Sequence, residues 1–199
     1  MTVKQDSEDV QEFERRSSHY EDSFFQHLFF DQIHRRALDA VPPGFDPHAI
    51  LDIGCGTGRL LRSAARRWPG ARLLGVDPAE GMIAQARRLA PGVEFQVSLA
   101  ERLSLPAGSL DLAFSSLSFH HWQDQQEGIR RVASALRAGG LFVLVDILTP
   151  LGIGRLHPHG RQVKPAALRE MFARAGLAVQ AQRRVMSGFL LLTVGRREE

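Results

Sequence analysis

Three groups of residues stand at spacings that could do chemistry. Asp52 is followed by Gly54-Cys55-Gly56-Thr57-Gly58, with glycines in alternate positions. A backbone that turns sharply beneath a bulky ligand needs positive φ and no Cβ in the way. About two dozen residues further on, Asp77 precedes Pro78, at a place where a carboxylate can accept bonds from both hydroxyls of a ribose. The third group is His120-His121, ahead of Trp122. An imidazole with a pKa near neutrality can take a proton from an O–H or N–H group, and the same pair can equally pack a loop over a crevice. Other chemistries find less support. Cys55 is the single cysteine, inside the glycine turn, so no internal disulfide forms and a thiol route has little to work with. His157 and His159 lack a neighbouring acidic or thiol partner, and no metal site is expected.

These residues need elements to hold them. Ala49-Ile50-Leu51 reads as a buried strand, and Leu60, Leu61, Ala64 and Ala65 after the turn restore a helical rhythm. Such a strand–turn–helix unit seats its ligand over the carboxyl end of the strand, beside a helix N-terminus. Spacing argues against the dinucleotide pattern, whose third small residue would fall on Arg59. Further strands are predicted over 71–76, 93–97, 111–116 and 141–148, and helices over 81–89 and 124–138, the last stopped by Gly139-Gly140. Ser115 and Ser116 emerge where the fourth strand meets the ligand crevice. Pro165 opens a final helix to residue 175, and strands 177–185 and 189–194 close the chain as a hairpin. The expectation is an α/β fold, doubly wound around a mostly parallel seven-stranded sheet with an antiparallel C-terminal strand.

LDIGCGTGRLL, GVDPAEGMIAQAR and SLDLAFSSLSFHHW resemble the cofactor-binding motifs of class I S-adenosylmethionine-dependent methyltransferases. The flavour is that of the small-molecule group containing the ubiquinone and menaquinone biosynthesis enzymes. The resemblance runs from about residue 49 to the C-terminus. It implies that the cofactor S-adenosyl-L-methionine, with S-adenosyl-L-homocysteine as product, lies over Gly54, Gly56 and Gly58. Asp77 and Pro78 would then meet the ribose, while Met82, Leu99 and Ala100 flank the adenine, and Asp52 orients the turn or simply caps it. Leu99 departs from the family pattern, which has an aspartate there to bond the adenine amino group. Losing one neutral hydrogen bond costs about 0.5–1.5 kcal/mol. The implied activity is methyl transfer to an O, N or C nucleophile of a small molecule, with His120 as general base. Two alternatives stay open: a binding protein that is non-catalytic or needs a partner, and an NAD(P)-dependent oxidoreductase.

Residues 1–45 precede the core expected over 46–199. From Glu21 to Ala40, Phe24, Phe25, Leu28, Phe29, Ile33, Ala37 and Leu38 recur at helical spacing. This cap either docks on the sheet or, through Tyr20, Phe24, His27 and Phe30, lines a substrate pocket together with His121; burial of its apolar stripe in a homodimer is a further possibility. The net charge of +3 is mild, and seven Arg-Arg pairs are spread along the chain. A solvated helical surface explains them better than a nucleic-acid footprint. The [DNS]-P-P-[YFW] signature of base-modifying enzymes does not appear after the fourth strand, which also argues against a flipped-base substrate. An acidic N-terminus, one cysteine and no long apolar run lead to the expectation of a cytoplasmic protein without a membrane span.

Overall fold

In a computed structural model the described residues are 24–148 and 164–199, with side chains described from residue 29. Helix α1 (Phe24–Asp39) leads into β1 (Ala49–Ile53), α2 (Arg59–Arg67), β2 (Arg72–Asp77), α3 (Glu80–Leu89) and β3 (Glu94–Val97). Strand β4 (Leu110–Ser116), α4 (Gln125–Ala135), β5 (Leu136–Ile147), α5 (Pro165–Arg174), β6 (Leu177–Val185) and β7 (Leu190–Arg197) complete the order. The described strands form one seven-stranded sheet in the order β3-β2-β1-β4-β5-β7-β6. Strands β1 to β5 run parallel, and β7 is antiparallel to both β5 and β6. The strand order reverses between β1 and β4, and a crevice opens beyond the carboxyl ends of strands at such a switch point.

Alternation along β1 divides the core between two faces. Leu51 and Ile53 join Val76, Phe142, Ile129, Val132 and Phe172 on the face covered by α4 and α5. Ile50 joins Leu60, Leu61, Ile83, Phe114 and Val143 on the face covered by α1, α2 and α3. Successive side chains on a strand point to opposite sides, so one pentapeptide feeds both cores. Ile33, Ala37 and Leu38 of α1 are buried in the second of them. Burial of a side chain such as Ile33 contributes about 1.5–3 kcal/mol. Phe142 and Phe172 stack at 5.4 Å between centroids. A Cβ on Gly195 would stand 2.5 Å from the Phe172 ring, so glycine is what lets α5 lie against β7 there.

The expected fourth long helix and fifth strand are redrawn by pairing. α4 ends at Ala135, not 138, and β5 begins at Leu136, not 141. Leu136 pairs with Leu110, and the register then jumps so that Leu112 faces Leu141. Gly139 (φ 75°) and Gly140 occupy the resulting bulge. A Cβ on Gly140 would lie 2.9 Å from the Arg137 carbonyl oxygen. The glycine pair thus shapes an irregular strand entry where the sequence suggested a helix stop. Nearby, Asp111 Oδ2 accepts the backbone N–H groups of His48 and Ala49, both at 2.8 Å, and Oδ1 pairs with Arg137. Burial would raise the Asp111 carboxyl, but the hydrogen bonds from Arg137, Ala49 and His48 outweigh it and hold it below the ordinary range.

Candidate functional site

The turn after β1 is built from backbone that only glycine adopts without strain. Gly54, Gly56 and Gly58 have φ of 69°, 51° and 76°. The Gly54 and Cys55 amides both donate to the Val76 carbonyl, at 2.8 and 3.0 Å, which ties the turn to β2. The three glycines do different things. A Cβ on Gly54 would lie 2.2 Å from Ser118 Cβ, and one on Gly58 would lie 2.7 Å from the Phe95 ring. At Gly56 a Cβ would meet nothing within 4 Å, and its N–H donates to Asp77 Oδ2 at 2.9 Å.

Around that turn lies an open cleft of about 980 Å³, a volume that includes the solvent at its mouth. Asp52, Gly54, Gly56, Asp77, Pro78, Met82, Leu99, Ala100, Ser116, Phe30 and His121 line it. Gly58 and Ser115 do not: Gly58 backs onto Phe95, and Ser115 is buried with its hydroxyl 2.9 Å from that of Ser118. Tyr20 lies outside the described residues, as do the side chains of Phe24 and His27 and the His157–His159 segment. Among the described residues no group of three or more His, Cys, Asp or Glu is placed to hold a metal ion.

Asp77 divides its carboxylate between two amides. Oδ2 takes Gly56 N–H, and Oδ1 takes Ala79 N–H at 2.9 Å, at the start of α3. Asp52 is fully buried, and its Oδ1 has no hydrogen-bond partner among the described residues. Burial, with the Asp77 charge as a second cause, pushes its carboxyl well above the usual carboxylate range. A cationic group arriving beside it would supply the missing partner and reverse that shift. The Cys55 thiol is likewise pushed up, by burial first and then by Asp77 and Asp52, so it stays a thiol and not a nucleophile.

The exit from β4 supplies the opposite wall. Leu117 sits at φ 54°, a conformation costing a non-glycine residue about 1–3 kcal/mol. Its amide donates to the Val145 carbonyl at 2.9 Å, and the bend delivers the Ser118 hydroxyl to the Ile53 carbonyl at 2.9 Å. The end of β4 is thereby bolted to the end of β1. His120 follows in the same loop. Its Nδ1 lies 2.7 Å from Asp146 Oδ1, and its amide donates to Asp146 Oδ2 at 3.1 Å. The ring is buried in this pair and is not part of the cleft wall. The structure thus pairs His120 with Asp146 and places His121 in the cleft lining, the two rings 4.0 Å apart.

Several lining residues escape sequence reasoning: His34, Thr57, Arg59, Ser98, Glu101 and Ser118. For His34 a signal exists. It lies four residues after Phe30 and four before Leu38, on the buried stripe of α1, where a polar side chain is out of place. Arg59 is visible as the residue that breaks the dinucleotide pattern, and it pairs with Asp31 of α1 at 3.0 Å.

Residues 50–140 match a family model described as a methyltransferase domain. A trans-aconitate 2-methyltransferase from Rhodopseudomonas palustris (strain BisB18) is 34% identical over 118 residues, covering 58% of this chain and 46% of that protein. One from Methylobacterium nodulans is 33% identical over 118 residues, covering 58% and 45%. The chain thus spans about half the length of the curated relatives it matches. Among solved structures, the methyltransferase in complex with the Haloferax volcanii Trm112 activator aligns with a TM-score of 0.79 at 22% identity, covering 94% of this chain and 98% of that one. An S-adenosylmethionine-dependent methyltransferase from Mesorhizobium loti aligns with a TM-score of 0.70 at 24% identity, covering 82% and 96%. These two structures share the fold.

Proposed function

We propose that this chain is a class I S-adenosylmethionine-dependent methyltransferase and that it transfers the S-methyl group to an O, N or C nucleophile of a small molecule, a reading supported by the methyltransferase-domain match over residues 50–140. The observation that carries this reading is the juxtaposition at the strand switch point: backbone at Gly56, the Asp77 carboxylate and an Asp52 Oδ1 with no partner among the described residues all line one cleft. In this reading S-adenosylmethionine supplies an electrophilic methyl: the C–S bond breaks, its electron pair stays on sulfur, and a bond forms to the acceptor's lone pair.

The chain's own residues hold and exclude. Asp77 receives the ribose hydroxyls, Met82 and Leu99 close on the adenine, and Asp52 meets the cofactor's ammonium, which returns that carboxyl to its charged form. Phe30 and Trp122 keep water from the acceptor side. Alignment of nucleophile and methyl can account for several kcal/mol, up to about 7–11 in favourable cases. A cleft without a strong acid–base cluster is consistent with such a displacement.

The named acceptor of the two relatives above is trans-aconitate. A tricarboxylic acid is accordingly the acceptor we favour, with a carboxylate oxygen as nucleophile, which needs no proton removed. Calorimetry with S-adenosylhomocysteine and a methyl-release assay over carboxylates, phenols and amines test the reading. Micromolar binding with turnover on a carboxylate supports it. No binding of the nucleoside overturns it.

A further inference from the structure

We propose that His34 of α1 and Arg59 at the start of α2 form a carboxylate-holding corner of the cleft. Both line it. This inference rests on the methyltransferase reading and deepens it.

His34 is nine-tenths buried, and its Nδ1 has no hydrogen-bond partner among the described residues. Its ring stacks on Phe30 at 6.3 Å between centroids, which fixes its plane without satisfying its nitrogen. A buried polar atom left unmet is costly, so a ligand that meets it recovers that loss. The charged groups that act on His34 are Arg59 and Arg62 from α2 and Asp31 from its own helix. Burial is the first cause and Arg59 the second in lowering its pKa to about 4, so at neutral pH the imidazole is uncharged. A neutral imidazole carrying its proton on Nδ1 is a hydrogen-bond donor.

Arg59 supplies the charge. It is the first residue of α2, where the helix dipole also favours an anion, and only 18% of its side chain is exposed. Asp31, at 51% exposure, holds the guanidinium against α1 from the solvent side. A fixed cation, a helix N-terminus and an unmet imidazole together suit a carboxylate. Beside the other acids of the lining, Asp77 and Glu101, a carboxylate would be repelled.

A carboxylate could come from the cofactor's methionine end or from the acceptor, and three ligands separate these sources. S-adenosylhomocysteine carries the amino-acid carboxylate. 5′-Methylthioadenosine lacks it. Tricarballylate, titrated into protein saturated with S-adenosylhomocysteine, stands for an acceptor that cannot react. Calorimetry is run on the wild type, His34→Phe, His34→Gln and Arg59→Gln. If the corner holds the cofactor's carboxylate, His34→Phe and Arg59→Gln weaken S-adenosylhomocysteine at least tenfold and leave 5′-methylthioadenosine within twofold. If it holds the acceptor's, only tricarballylate weakens tenfold. In either case His34→Gln, which keeps a donor, recovers part of the loss. All three affinities staying within twofold, or the two nucleosides weakening equally, overturns the corner. Absence of nucleoside binding by the wild type overturns the methyltransferase reading instead. Tricarballylate titrated alone then decides the corner, which is overturned if the wild type does not bind it or if the variants bind it equally well.

Discussion

Asp77 Oδ2 accepts the Gly56 amide at 2.9 Å, joining the carboxyl end of β2 to the glycine turn that follows β1. Its Oδ1 meanwhile holds Ala79 N–H at the start of α3. One side chain therefore fixes the turn, opens a helix and faces the cleft. Asp77→Ala leaves two amides without their acceptor, at about 1–3 kcal/mol for a buried group, and removes the proposed ribose contact. We expect a clear loss of stability in urea unfolding and at least a tenfold loss of S-adenosylhomocysteine affinity. Unchanged affinity in folded Asp77→Ala would remove the ribose role.

The closeness of Gly54 to Ser118 gives a prediction that needs no ligand. A Cβ at Gly54 meets Ser118 Cβ at 2.2 Å, and φ is 69°. Gly54→Ala thus suffers both overlap and a left-handed backbone, the latter worth roughly 1–2 kcal/mol by itself. Adding Ser118→Gly relieves the overlap and leaves the backbone cost. Denaturant unfolding should show Gly54→Ala well below the wild type and the double variant partly restored. A double variant no better than the sum of the singles would show that the two positions do not touch.

Leu99 lines the cleft beside Ala100, where the family resemblance implies an aspartate. Leu99→Asp should tighten binding of S-adenosylhomocysteine by several-fold, since one added hydrogen bond contributes about 0.5–1.5 kcal/mol. An inosine analogue, which lacks the adenine amino group, should gain nothing. Equal gains for both would place the new carboxylate away from that group.

The turn and the carboxylate at the end of β2 are legible in the sequence because their rules are local. Alternate glycines and a strand-ending Asp need no distant partner to be recognised. What escapes depends on contacts across the chain. Ser118 acts through the Ile53 carbonyl, 65 positions away, and no spacing rule connects them. The pairing of His120 with Asp146 of β5, 26 positions away, is likewise marked by no local spacing. Leu136 to Gly140 read as a helix end because nothing local shows that Leu110 will recruit Leu136 into the sheet. His34 is the intermediate case: its place on an apolar stripe is visible, but its neighbour Arg59 is brought to the same cleft only by packing α1 against α2.

Asp111 links the loop before β1 to the entrance of β5 by accepting His48 and Ala49 and pairing with Arg137. Its carboxyl is held below the ordinary value when folded, so the unfolded chain binds the proton more readily. The contribution is present above the unfolded pKa, near 4, and is lost as pH falls through the folded value. Asp111→Ala should destabilise the protein at pH 7, and the gap to the wild type should narrow toward pH 3. A pH-independent gap would mean that the side chain acts through shape alone.

His34 works with the opposite protonation state. Its folded pKa is about 4 against an ordinary 6.5, burial being the larger cause and Arg59 the next. The folded state therefore keeps the ring neutral while the unfolded chain takes up a proton. Stability from this group is complete above pH 6.5, falls as pH drops from 6.5 to 4, and does not change further below that. At 1.36 kcal/mol per pKa unit the loss approaches about 3 kcal/mol. Carboxylates titrate in the lower part of the same window, so the measured quantity is the difference between the wild type and His34→Gln. That variant carries no titrating proton and should gain relative to the wild type from pH 6.5 down to 4. Chemical denaturation at half-unit intervals of pH reads the difference directly. Parallel curves would mean that the ring reaches water, or a partner, in the folded protein, and would also remove the unmet nitrogen from the carboxylate corner.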